Sequence, residues 1–111
     1  MSTRSIAHIF DRNRPISGTP MAVRAEACWR WGESHGFQVA DEHLAWGAAA
    51  DQPRPAELIE AVRRCVDEGS TLIFYSDAVL SDDPDTVQWA REELGERAVN
   101  VVDGHPREDP S

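Results

Sequence analysis

The sequence predicts an α/β fold, a three-layer sandwich in which helices cover both faces of a small, mainly parallel four-stranded sheet. Three observations point there. Short apolar runs alternate with longer segments of helical spacing in the order β-α-β-α-β-α-β. The connections between them are short enough for parallel crossovers. The run Thr71-Leu72-Ile73-Phe74-Tyr75 carries no charge and is rich in β-branched and aromatic residues, the composition of a strand buried on both faces.

The first strand is read at Ser5-Ile6-Ala7-His8-Ile9-Phe10, an apolar run that stops at Asp11-Arg12-Asn13-Arg14-Pro15. Pro15, Ser17, Gly18, Thr19 and Pro20 then make a loop of turn-forming types. Helical spacing runs from Met21 to His35, with Gly36 as the left-handed residue that ends the helix. Val23, Ala27 and Trp31 recur at i, i+4, i+8 as a core stripe with Cys28 beside it. Trp29 falls on nearly the opposite side. It reads either as a tryptophan half covered by its neighbours or as a contact for a protein partner.

Phe37 to Leu44 is the second strand, and Asp41 and Glu42 give it an exposed end rather than a central place. Trp46-Gly47-Ala48-Ala49-Ala50-Asp51 reads as a mobile loop of small residues. Pro55 opens the next helix, whose apolar face is Leu58, Ile59, Val62, Cys65 and Val66, and Gly69 closes it. The uncharged strand follows at once. After Ser76-Asp77-Ala78-Val79-Leu80-Ser81-Asp82, Asp83 suits an N-cap and Pro84 the first helical position. Val87, Ala90, Arg91 and Leu94 give that helix its spacing, Gly95 ends it, and Ala98 to Val102 is the last strand. Residues 1–102 form one expected domain and 103–111 an expected flexible tail.

Composition narrows the function classes. The chain has 111 residues, 41% of them hydrophobic and 28% charged, which suits a globular protein rather than a disordered one. No apolar run approaches the ~20 residues of a membrane span, and the N-terminus has no apolar signal core, so a cytoplasmic protein is expected. All 11 basic residues are arginine. Without lysine, a Walker-A P-loop, a Schiff-base enzyme and a standard phospho-receiver are excluded. The net charge of −9 repels a duplex phosphate backbone. Cys28 and Cys65 fall on different helices without a C-x-x-C spacing and read as buried small hydrophobes. The four histidines have no ligand spacing, and neither a metal nor a cofactor is expected.

Four local patterns add a resemblance. They are Ala27-Cys28-Trp29-Arg30-Trp31-Gly32-Glu33-Ser34-His35-Gly36-Phe37-Gln38-Val39, then Gly47 before a small-residue loop, Arg54-Pro55 opening a helix, and Leu80-Ser81-Asp82-Asp83 after the third strand. Over about residues 4 to 95 the chain resembles the catalytic domain of the serine recombinases, the resolvase/invertase family. The resemblance implies a resolvase-like fold. It also implies a serine nucleophile just after the first strand, which attacks a DNA phosphodiester, and arginines that stabilise the charge developing on phosphorus and the leaving oxygen.

The chain departs from that pattern where the chemistry should be. The nucleophile position falls on Arg12 or Arg14, according to register, and the nearest serine is Ser17 in the Pro/Gly loop. No basic residue occurs between Arg64 and Arg91, so the arginines expected after the third strand are missing. Asp77, Asp82, Asp83 and Asp85 stand there instead and would repel a phosphodiester by ~1 kcal/mol per close pair. The family's long dimerising helix and DNA-binding domain are not expected before Ser111, and independent DNA binding is not expected.

The expected function is therefore that of a pseudoenzyme. It is a non-catalytic, resolvase-like domain acting through protein contacts, by self-association or with a full-length recombinase, with Trp29 as the candidate interface residue. A second reading places a small ligand or nucleotide at the carboxyl ends of the strands, against Arg12, Arg14, Ser76, Asp77 and Ser81. A third keeps residual recombinase activity through Ser17. Asp11 with Asp77 could mimic an acidic Mg²⁺ site, and Asp82-Asp83-Pro84-Asp85 could attract a cation. Strand-end and helix-capping roles explain both sets better.

Overall fold

The computed structural model describes residues 5–16 and 18–102. Ser17 and the tail expected at 103–111 lie outside the described residues. The order is β1 (Ser5–Arg12), α1 (Met21–Ser34), β2 (Phe37–Ala45), a 3₁₀ segment (Gly47–Asp51), α2 (Ala56–Glu68), β3 (Thr71–Phe74), α3 (Asp77–Leu80), α4 (Pro84–Leu94) and β4 (Ala98–Asn100). Strand pairing is parallel throughout, in the spatial order β2-β1-β3-β4. The α/β sandwich is thus as expected.

The strand order explains the layers. From β1 the chain steps outward to β2, then returns past β1 to β3 and β4. Right-handed crossovers reverse faces when the stepping direction reverses. Accordingly α1 covers one face, over Ala7, Ile9, Ile73 and Val99. Helices α2 and α4 cover the other, over Phe10, Leu72, Phe74 and Ala98. Leu72, Ile73 and Phe74 have no solvent exposure, as their uncharged run requires.

Helix α1 packs on a different stripe from the expected one. Val23 is 53% exposed, and the buried positions are Arg24, Cys28 and Gly32. The spacing is right, but the phase is one residue late, because Arg24 has a buried partner on β1. Gly32 sits so close to the sheet that a Cβ there would lie 3.2 Å from Ile73 Cδ1 and 3.3 Å from Val39 Cγ2. Gly32→Val should therefore overpack this contact and destabilise the fold by about 1–3 kcal/mol in a urea titration. Helix α1 ends at Gly36, which takes the left-handed conformation expected of it (φ 82°).

On α2 the buried face is Leu58, Ala61, Val62 and Cys65. Ile59 is half-buried and Val66 exposed, so the stripe is turned toward Ala61 relative to the expected one. Pro55 precedes the helix with extended dihedrals rather than forming its first turn. Asp83 caps α4 as expected, accepting from the Asp85 amide, with Pro84 next in line. Both cysteines are buried free thiols, and burial pushes each up to about 12.

Several boundaries moved, and β4 ends at Asn100, short of the expected Val102. β1 runs on to Arg12, past the polar residues that were expected to stop it. The segment after Trp46 is a 3₁₀ turn with Ala50 buried, not a structureless loop. The segment after Ser76 contains the short helix α3. Edge strand β2 carries a bulge: Ala7 pairs with Val39 and His8 with Asp41, leaving Ala40 extra. A bulge and exposed charge on an edge discourage sheet-to-sheet pairing. No helix among the described residues is long and apolar enough to cross a membrane.

Candidate functional site

Open parallel sheets hold ligands in the crevice outside the strand carboxyl ends, where the stepping direction reverses. Here that point lies between β1 and β3. β1 ends in Arg12 and β3 leads through Ser76 into α3, so the candidate residues lie at this edge of the sheet. Arg12 itself occupies the crevice. Its side chain is 1% exposed. Nε donates to Val79 O (3.0 Å), Nη1 to Ala50 O (3.1 Å), and Nη2 to Ala78 O (2.5 Å) and Asp82 Oδ1 (3.1 Å). The guanidinium thus ties β1 to α3 and to the 3₁₀ segment after β2.

Arg14 is about one-third exposed and donates to the other Asp82 oxygen at 2.7 Å, with Asp51 at 3.7 Å. The Arg12 hydrogen bond first, with the charges of both arginines, holds the Asp82 carboxyl below the usual carboxylate range. Asp77 belongs to a second cluster, toward β4. Its Oδ1 accepts from Arg91 Nη2 (2.6 Å) and Asn100 Nδ2 (3.1 Å), and the Arg91 guanidinium also stands 5.7 Å from the centre of the Phe74 ring.

The two serines differ. Ser81 is buried; its hydroxyl donates to Pro53 O (2.5 Å) and accepts from the Asp83 amide (3.0 Å), which shapes the turn into α4. Ser76 precedes α3, and its buried hydroxyl oxygen has no hydrogen-bond partner. Of the candidate ligand residues, then, Arg12 and Arg14 meet on Asp82, Asp77 pairs elsewhere, and Ser81 serves the backbone.

Sequence reasoning missed three members of this edge. Arg24 of α1 is fully buried and forms an ion pair at 2.8 Å with Asp11, 1% exposed, while also donating to Arg12 O and Thr19 O. Arg91 comes up from α4, so an arginine does reach the region after β3 despite the gap in the sequence there. Asn100 arrives from β4. The available signal for Arg24 was its phase: it sits four and eight residues before the small residues Cys28 and Gly32. Asp11 and Asp77 do not form a joint acidic site, since each is paired with its own arginine.

Trp29 is half-buried against the α1 face of the sheet, and its indole N–H donates to Glu42 on β2. It therefore does not stand opposite the core. The exposed tryptophan is Trp46, at 58%, just beyond the carboxyl end of β2.

No protein-family model and no curated protein matches this chain. Among solved structures, the chain is similar to the crystal structure of the N-terminal catalytic domain of TP901-1 integrase, with a TM-score of 0.70. The fold is resolvase-like. The match covers 90% of this chain and 79% of that one at 14% sequence identity. So low an identity carries the resolvase-like architecture and not the chemistry of the edge.

Proposed function

We propose that the chain is a cytoplasmic, non-catalytic resolvase-like domain, derived from DNA recombination machinery, that acts through protein contacts. One observation carries the non-catalytic reading. The arginine at the end of β1 is bonded to three main-chain carbonyls and a carboxylate, and Arg14 is drawn to the same aspartate. A phosphodiester entering here would meet guanidinium groups already neutralised by Asp82 and Asp51, where transition-state charge needs unoccupied donors.

The protein-contact reading is supported by the α1 side of the sheet. A single helix covers this face, and Trp29, Trp31, Phe37, Val39, Tyr75 and Val101 remain partly exposed around the buried residues. The bulge and charges of β2 speak for association through this face rather than by edge pairing. Incubation with supercoiled plasmid should give no covalent protein–DNA adduct, and an adduct, through Ser17 or any other residue, would overturn the non-catalytic reading. Light scattering on a size-exclusion column should show self-association or a complex with a recombinase. A strict monomer whose Trp29→Ala variant keeps every partner removes Trp29 from the interface.

The unpartnered Ser76 hydroxyl favours a second reading, a small ligand or nucleotide held beside Arg14 and Asp77. A ligand at 100-fold its Kd adds about 2.7 kcal/mol to stability. A thermal-shift screen of nucleotides and divalent ions reads this directly, and no shift with any of them counts against it.

A further inference from the structure

On the α2 side of the sheet, a polar chain of two buried histidines and an exposed glutamate plays no part in the edge described above. His8 on β1 is fully buried on the α2 side of the sheet. Its Nε2 lies 3.0 Å from Glu68 Oε1 at the end of α2. Its Nδ1 lies 3.1 Å from Nε2 of His43, on the edge strand β2. The two rings are 5.2 Å apart between centroids.

The proton positions follow from the acceptors. Glu68 is a carboxylate that accepts from His8, from Arg64 Nε (3.0 Å) and from the Ser70 hydroxyl (3.2 Å). These hydrogen bonds, His8 first, hold its carboxyl down at about 2. His8 Nε2 must therefore carry a hydrogen. Its Nδ1 then accepts from His43 Nε2–H when both rings are neutral, or donates to His43 Nε2 when His8 is a cation. One extra proton, on either ring, preserves the bond. A second cannot: two N–H groups would face each other at 3.1 Å, and two cations would lie side by side.

We propose that Glu68, His8 and His43 form a one-proton latch that fastens edge strand β2 to β1 and to the end of α2, and that a second proton releases β2. The release goes outward, because β2 has a strand neighbour on one side and His43 is 8% exposed. The other charged groups facing His43 are Asp41 on its own strand and Glu60 and Arg64 on α2, while β3 presents Leu72 beside His8. Burial first, then His8, lowers the His43 pKa below its ordinary 6.5. The unfolded chain then takes up that proton at a higher pH than the folded one. The stability contributed by neutral His43 is full above 6.5 and is lost as pH falls from there toward its lowered value. Glu68 adds a second window, with stability present above 4.5 and lost as pH falls toward about 2.

Imidazole nitrogen NMR across a pH titration of the intact chain, read beside amide exchange corrected for intrinsic rates, tests the latch. The expected result is His8 protonated on Nε2 at neutral pH and two separated steps of proton uptake. With the second step, the β2 amides should lose protection about tenfold or more while Leu72 to Phe74 keep theirs. His43→Gln, whose amide can still donate to His8 but takes no proton, should abolish that loss. The latch is overturned if both rings titrate together near the ordinary histidine value, if β2 and β3 open in parallel, or if His43→Gln retains the acid-dependent loss. The titration and exchange need no variant, so the test stands even if His43→Gln fails to fold.

Discussion

Arg24→Met should destabilise the protein by about 3–5 kcal/mol, because it strands the Asp11 carboxylate in the interior without its cation. The carboxylate is 1% exposed and receives Arg24 Nε and Nη2 at 2.8–3.1 Å. With Arg24 gone, the Arg12 amide at 2.7 Å is the donor still recorded for it, and the carbonyls of Arg12 and Thr19 lose a partner as well. A domain of this size has about 5–15 kcal/mol in hand, so the variant should unfold at much lower urea or not fold at all. Asp11→Asn, which keeps an acceptor of the same shape, should cost less. Replacing both members with apolar residues should recover part of the loss but not all, since the carbonyls of Arg12 and Thr19 still lose the Arg24 donor. If Arg24→Met matched wild type in urea, the pair would contribute nothing to folding.

The second large effect is expected at Arg12. Arg12→Met leaves the carbonyls of Ala50, Ala78 and Val79 without their buried donor and should destabilise by about 3–5 kcal/mol, at 1–3 per orphaned group with partial relaxation. Asp82 adds little to that sum because it is 65% exposed and can turn to water. Amide exchange should show α3 and the 3₁₀ segment opening first, since those are the pieces the guanidinium holds. The same variant separates two roles for Arg12. A structural clamp predicts lost stability and unchanged affinity for nucleotides or nucleic acid. A phosphate-binding arginine predicts the reverse.

The resolvase-like pattern and the edge chemistry differ in how they are written in the chain. The small-residue and glycine positions that resemble the family, Gly32, Gly36 and Gly47, govern backbone approach and turns, and they act locally. The arginines of the edge act through space. Arg24 reaches Asp11 across 13 positions, Arg91 reaches Asp77 across 14 and Arg12 reaches Asp82 across 70. A scan of the segment after β3 for basic residues finds only aspartates, yet two of these aspartates have an arginine delivered from another element.

The sequence by itself determined the β-α order, the parallel crossovers, the buried central strand at Thr71–Phe74, and the glycine and capping signals at Gly36 and Asp83. Each of these depends on residue type and spacing within one segment, which hydrophobic periodicity and backbone sterics read directly. The tertiary structure alone decided the phase of α1, the true end of β1, the placement of Trp29, and the pairing of His8 with His43 and Glu68. Apart from Trp29, which is half-buried with its indole N–H on Glu42, a polar or charged residue is buried in each case because its partner comes from a distant segment. Periodicity counts such a residue as exposed, and only the fold supplies the partner that makes its burial favourable.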